Sequence, residues 1–284
     1  MDFRATTTDV VALQQYAQLF RACFPTATHL DVPYLHWLYK ENPAGPVVGM
    51  DAWEGGRLAA HYVCVPAHAR LFGRDCRVLL SLNTATHPDF QGKGLFTRLA
   101  DQTYATGAQQ GFDAVYGVAN ANSTPGFLRK LGFALVSPLE ARIGVGRIDR
   151  NLPDDQMRVS AFHRRWDVSS LSWRCANPER PYRIERIGEG ALGASAATGK
   201  PGLRAWAELP AIEGIEARSS ASWSLRLHLG LRPAVRQRRG AAWFDLPDRL
   251  RASPLNLIFR GLREGVAVPP SDAIYFGQLD FDAF

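Results

Sequence analysis

Along the first stretch of the chain, apolar residues recur at helical spacing. Val11, Leu13, Tyr16, Ala17, Leu19 and Phe20 share one side of a helix predicted over 10–24, which Asp9 is placed to cap and Pro25 to close. A second helix begins after Asp31, carries Leu35, Trp37 and Leu38, and is broken by Asn42-Pro43-Ala44-Gly45. The pattern then changes to short apolar runs bounded by turn residues. Strands are predicted over 47–53, 57–69 and 76–86, joined at Glu54-Gly55-Gly56 and Phe72-Gly73-Arg74-Asp75. Two hairpins in succession imply an antiparallel meander. Helical periodicity returns over 95–110 through Leu95, Leu99, Thr103 and Thr106 and stops at Gly111. A buried strand is predicted over 112–118 and a helix over 123–131, closed by Gly132.

The second half echoes the first. Asp31-Val32, Leu35 and Trp37 recur at a constant offset as Asp167-Val168, Leu171 and Trp173, and Asn42-Pro43 recurs one residue early as Asn177-Pro178. A strand-like run follows each, 47–53 in the first copy and 182–187 in the second. This self-similarity predicts a duplication. The second copy has no glycine-rich loop, so only the first can hold an anion by that device. Trp37, Tyr39 and Trp173 read as core or packing aromatics.

Composition narrows the class of protein. With 284 residues, 46% hydrophobic and 21% charged, the chain has material for one large or two ordinary cores and little room for disorder. The net charge of +6 admits nucleic acid, an anionic cofactor or an acidic surface as partner. Arginines are scattered, with one short cluster at Arg236, Arg238 and Arg239 and no basic stripe with interleaved aromatics. Nucleic acid is therefore not the expected partner. Cys23, Cys64, Cys76 and Cys175 show no metal-ligand or redox spacing and are expected to be reduced thiols. No apolar run approaches the length of a membrane span and Met1-Asp2-Phe3-Arg4 opens no leader, so a cytoplasmic protein is expected.

The chemistry concentrates between a predicted strand and a predicted helix, at His87-Pro88-Asp89-Phe90-Gln91-Gly92-Lys93-Gly94. The first turn of a helix leaves backbone N–H groups unpaired with the positive end of the helix dipole behind them, which suits a pyrophosphate. Gly92 and Gly94 admit positive φ and put no side chain between amide and phosphate. Lys93 adds charge and Gln91 a donor.

This stretch, from Thr84 to Phe96, resembles the coenzyme A signature Gln/Arg-x-x-Gly-x-Gly/Ala of GNAT (GCN5-related) N-acetyltransferases. The stretch from Asn120 to Phe133, an Asn ahead of a helix that ends in Gly132-Phe133, resembles the second signature of that family. The likeness covers about residues 1–148. It is nearest to members with a Trp-containing helix and an Asn-Pro before the sheet, and a shorter C-terminal half without the signature, as in some encoded with bacterial polysaccharide genes. The tail Asp280-Phe281-Asp282-Ala283-Phe284 fits that group.

The resemblance implies a mixed α+β fold. Residues 1–148 would form a GNAT acyl-CoA-binding catalytic domain with a mainly antiparallel twisted sheet flanked by helices, and 149–284 a smaller, degenerate GNAT-like domain. Acetyl-CoA or another acyl-CoA would be the co-substrate, lying between strands 79–86 and 112–118. The backbone of Ala85 or Thr86 would hold the thioester carbonyl. Pyrophosphate would meet the amides of Gln91, Gly92, Lys93, Gly94, Leu95 and Phe96, while Asn120 and Ser123 would lie near the pantetheine arm and sulfur. A small-molecule amine or hydroxyl, such as that of an amino sugar, would attack directly, without an acyl-enzyme.

Two positions depart from the family pattern. Phe96 stands where the first signature closes with Gly or Ala, and Leu128 stands where many members place a Tyr acid. Ser123, Tyr116 or water would then protonate the thiolate. For the base, Asn83 could hold a water, and His87 or His61 could titrate near neutrality. Two other readings fit the same residues, a non-catalytic acyl-CoA-binding or regulatory protein and an aminoacyl or long-chain acyl transferase.

Overall fold

A polar edge strand that the hydropathy pattern does not announce, β1 (Asp2–Ala5), precedes α1 (Val10–Cys23) and α2 (Val32–Lys40). Both helices start on an aspartate whose carboxylate accepts from the first turn, Asp9 from the Ala12 N–H and Asp31 from the Tyr34 N–H, each at 3.0 Å. The α1 face that turns inward is the one its periodicity marks, save that Val11 is exposed. Then come β2 (Val48–Glu54), β3 (Arg57–Leu71), β4 (Arg74–Thr86), α3 (Leu95–Gln109), β5 (Ala114–Asn120), α4 (Thr124–Lys130) and β6 (Ala134–Pro138). The second half holds β7 (Glu140–Gly144), α5 (Pro153–Val159), β8 (Phe162–Arg164), α6 (Val168–Cys175), β9 (Arg183–Arg186), β10 (Ala191–Ala197), β11 (Leu203–Pro210) and β12 (Arg218–Ser219). It closes with β13 (Leu225–Gly230), β14 (Trp243–Asp245), β15 (Leu255–Gly261) and β16 (Ile274–Tyr275). This computed structural model describes residues 1–219, 224–235, 238–240, 242–247, 251 and 253–281. Arg236 of the arginine cluster and 282–284 of the tail lie outside the described residues.

Two mixed sheets share one plan. The first runs β1-β2-β3-β4-β5-β15-β6, with β8 and β16 added beyond β3; the second runs β12-β9-β10-β11-β13-β7-β14. In each, a three-stranded antiparallel meander meets a parallel neighbour, β4 with β5 and β11 with β13. An antiparallel strand follows that neighbour, and here the halves exchange. β15, from the C-terminal half, lies between β5 and β6, while β7 lies between β13 and β14. The sheets therefore do not divide at a single cut after residue 148.

The helices α2 and α6 meet back to back. The rings of Trp37 and Trp173 stack at 4.9 Å, and each indole N–H donates to the other residue's backbone carbonyl, at 2.9 and 3.0 Å. Both rings are buried. Reciprocal bonds between equivalent residues are what a pseudo-twofold relation between two copies produces. Trp173→Ala and Trp37→Ala are each expected to cost about 3–5 kcal/mol of stability. The double variant should lose much less than the sum, because both remove one shared contact; chemical denaturation of the four proteins checks this.

The two copies differ where strands part. In the first sheet α3 fills the connection between β4 and β5 and packs on β2, β3 and β4 through Leu95, Leu99, Ala100 and Tyr104. In the second, no helix appears among the described residues between β11 and β13. There the gap is filled by the chain's own C-terminal stretch. Gln278 Oε1 accepts from the Trp206 N–H at 2.8 Å, and Leu231 and Phe276 exchange backbone bonds. Among the described residues no helix is long and apolar enough to cross a membrane.

Candidate active site

In the first sheet β4 and β5 are paired only from Val78–Ser81 and Ala114–Gly117. Beyond Ser81 they part, because β4 bulges: its register against β3 shifts between His61 and Val63, and Asn83 takes a left-handed conformation with φ 50°. Asn is among the residues that tolerate this region. The parted strands open a cleft of about 520 Å³, walled by Ser81–Thr84 of β4, Gly117–Asn120 of β5, Phe96 of α3, and Ser123 and Phe127 around α4. Ile258 of the exchanged β15 completes it. Among the described residues no charged side chain lines this cleft. Its polar groups are hydroxyls, amides and backbone, the set that matches a neutral chain carrying amide groups.

At the mouth, the chain turns from β4 through a short 3-10 turn, Pro88–Phe90, into α3. Gly92 and Gly94 have φ of 76° and 70°, and Gly94 is the residue before the first helical turn. The Gln91 N–H donates to Pro88, and the Arg98 N–H to Gly94. Between them, the N–H groups of residues 92–97 have no protein acceptor among the described residues, and residues 91–94 are exposed. This is a run of free amides at a helix N-terminus. Lys93 is nearby, its ammonium 3.6 Å from Glu54 and above the Phe90 ring.

The expected site residues separate into groups. Asn120 and Ser123 do reach the cleft, but the Asn120 side chain also builds its wall: Oδ1 accepts from the N–H of Asn122 and of Ser123, both at 3.0 Å, and from the Ser123 hydroxyl at 3.1 Å. On β4, Ser81–Thr84 line the cleft, directly before Ala85 and Thr86; Ala85 and Thr86 continue the ladder with His61 and Ala60. Gln91 Nε2 donates to the Thr86 carbonyl at 3.4 Å rather than pointing along the loop. Leu95 is buried under the sheet, and the Phe96 ring packs edge-on against Tyr62 and Phe127, leaving the loop amides clear.

His87 is occupied elsewhere. Its Nδ1 accepts from the Asp89 N–H, Arg57 lies 2.8 Å from Nε2, and it faces a groove beside α1, not the cleft. Tyr116 is buried and donates to the Asp280 carbonyl at 2.9 Å, with burial raising its pKa well above the usual phenol value. Neither is placed to exchange protons with a ligand in the cleft. Leu128 packs into the core beside α3. Burial pushes the Cys64 and Cys76 thiols up to about 12 and Cys175 to about 11, which leaves them poor nucleophiles.

Three residues are more than the core groups their strands and helix suggest. Asp51 of β2 lies directly across from His61 of β3, and their Oδ1 and Nδ1 are 2.6 Å apart. His61 Nε2 lies 2.9 Å from the Tyr39 hydroxyl, and Asn83 Nδ2 donates to that hydroxyl at 3.3 Å. The signal was a charged residue and a histidine at core-facing positions of apolar strands, which burial without partners forbids.

Residues 3–136, just under half the chain, match the family model described as an acetyltransferase (GNAT) domain. No curated protein matches the sequence. Among solved structures the chain is similar to a probable N-acyltransferase of Enterococcus faecalis (TM-score 0.60, 11% identity, covering 92% of this chain and 73% of that one). It is also similar to a GCN5-related N-acetyltransferase of Anabaena variabilis (0.60, 10%, 92% and 73%) and to Eis1 of Mycobacterium abscessus (0.57, 10%, 92% and 74%). At these identities the likeness concerns the fold, and it extends over both sheets. The chain thus carries a GNAT acetyltransferase domain over residues 3–136, joined to a second, β-rich unit.

Proposed function

We propose that the enzyme transfers an acetyl group from acetyl-CoA to the amine, or hydroxyl, of a small bacterial metabolite such as an amino sugar, by direct attack within a ternary complex. The observation that carries this reading is the run of unpaired amides at 92–97 opening onto an uncharged cleft. A doubly charged pyrophosphate meets donors and a helix dipole at the loop, and the neutral pantetheine arm meets hydroxyls and amides further in. On this reading the amides of Gly92 to Phe96 bind the pyrophosphate and Ser81 to Thr84, Asn120 and Ser123 flank the arm. Ser123, a partly exposed hydroxyl on the cleft wall, is the candidate replacement for the acid that Leu128 does not supply. The absence of cysteine and lysine from the cleft lining supports attack without an acyl-enzyme. The second sheet, built on the same plan with its gap already filled, supports a degenerate GNAT-like unit that packs instead of binding a second nucleotide.

Calorimetry with acetyl-CoA, followed by thiol release across a panel of amines and amino sugars, tests the proposal. One-to-one binding with turnover of at least one amine is expected. Binding without any turnover would favour a non-catalytic acyl-CoA-binding protein, the reading that Leu128 suggests, and no binding would remove both.

A further inference from the structure

A connected chain of buried polar groups stands behind Asn83. The Asp51 carboxylate has only acceptors, and three donors converge on it: Tyr16 at 2.7 Å, Thr6 at 3.1 Å and His61 Nδ1 at 2.6 Å. On the far side of the ring, Nε2 lies 2.9 Å from the Tyr39 hydroxyl. Tyr39 and His61 are both fully buried, so no water competes for these positions. Toward Asn83 the Tyr39 oxygen accepts from Nδ2 at 3.3 Å, which turns Oδ1 the other way, and that oxygen has no protein partner among the described residues. Asn83 sits in the strained bulge where β4 parts from β5, on the wall of the cleft.

We propose that Asp51, His61 and Tyr39 are positioning residues that lock the Asn83 amide with its carbonyl oxygen toward the cleft, where it accepts a hydrogen bond from the attacking amine. The amine needs its lone pair aimed at the thioester carbon, and an acceptor for one N–H holds it so. No proton is transferred along the chain. Asn83 orients, and the proton lost after attack leaves by solvent. This rests on the transfer reading given above.

The test compares wild type with Tyr39→Phe, which keeps the buried ring and removes the hydroxyl, and Asn83→Gly, which removes the amide at a backbone conformation glycine accepts freely. Thiol release from acetyl-CoA is measured with glucosamine and, for water as the nucleophile, without it; acetyl-CoA affinity is measured separately. Each single variant is expected to lower kcat about thirtyfold, within the range that misplacing a reacting group costs, with acetyl-CoA affinity in Tyr39→Phe, a residue outside the cleft lining, changed less than about threefold. The double variant should be no slower than Asn83→Gly alone, since Tyr39 acts only through that amide. Independent, multiplying losses, or rates within threefold of wild type, would overturn the inference. If Tyr39→Phe does not fold, a wild-type rate in Asn83→Gly alone overturns it. A wild type that binds acetyl-CoA but releases no thiol with glucosamine, with water or with any amine of the panel removes the transfer reading and the inference with it.

Discussion

Replacing Gly94 by valine is expected to weaken acetyl-CoA binding by roughly a hundredfold, equivalent to about 2.7 kcal/mol, while the protein stays folded. A side chain at this position would meet open space and no protein atom within 4 Å, so the core does not oppose it. Two effects act on the loop. At φ 70° an L side chain strains the backbone by about 1–2 kcal/mol, which a domain with about 5–15 kcal/mol of net stability survives. That same side chain stands among the free amides of 92–97, so a phosphate oxygen can no longer approach them. Calorimetry and a thermal melt separate loss of binding from loss of fold. Affinity unchanged from wild type would count against the loop as the anion site.

The second large effect concerns the exchange of strands. A fragment that stops at residue 148 is expected to aggregate, or to lack a cooperative unfolding transition, and to bind no acetyl-CoA. Such a fragment lacks β15, whose Leu257, Ile258 and Phe259 are at most 1% exposed and lie between β5 and β6. Burying three such side chains contributes about 5–9 kcal/mol, as much as the whole net stability of many domains. Its removal also leaves two unpaired strand edges and strips Ile258 from the cleft wall. β7 would be stranded without β13 and β14. Size-exclusion chromatography and circular dichroism of the fragment decide the matter; a monomer that melts cooperatively and binds acetyl-CoA would show that the halves are independent.

What could be read from the sequence was what is locally encoded. Asp9 and Asp31 cap helices because a carboxylate three residues ahead of an N–H needs no distant partner. The glycine loop itself was legible for the same reason: two glycines, a strand before and a helix after are all within ten residues. The echo of Asp31-Val32 and Trp37 in the second half foretold helices α2 and α6, though not that their tryptophans would bond to one another. The exchange of β7 and β15 left no trace, because an apolar strand carries the same alternation whichever sheet receives it. β1 was missed because an edge strand of Asp2, Phe3, Arg4 and Ala5 buries almost nothing. The bulge at Asn83 puts Ser81 to Thr84 on the cleft wall directly ahead of Ala85 and Thr86, and a bulge is decided by pairing across strands, so it was not legible in the sequence. His61 was legible as a candidate, but its neighbours Asp51 and Tyr39 come from two other elements and meet it only in the folded sheet.

The proposed function has the backbone amides of 92–97 receive the pyrophosphate. Its most direct measurement is the amide chemical shifts of an isotope-labelled sample titrated with acetyl-CoA and, separately, with acetyl-pantetheine, which lacks the pyrophosphate and nucleotide. The largest shifts on adding acetyl-CoA should fall on residues 92–97 and be absent with acetyl-pantetheine, which should still perturb Ser81 to Thr84 and Gly117 to Asn120. Acetyl-CoA binding that leaves 92–97 unmoved, or that perturbs them no more than acetyl-pantetheine does, would contradict it.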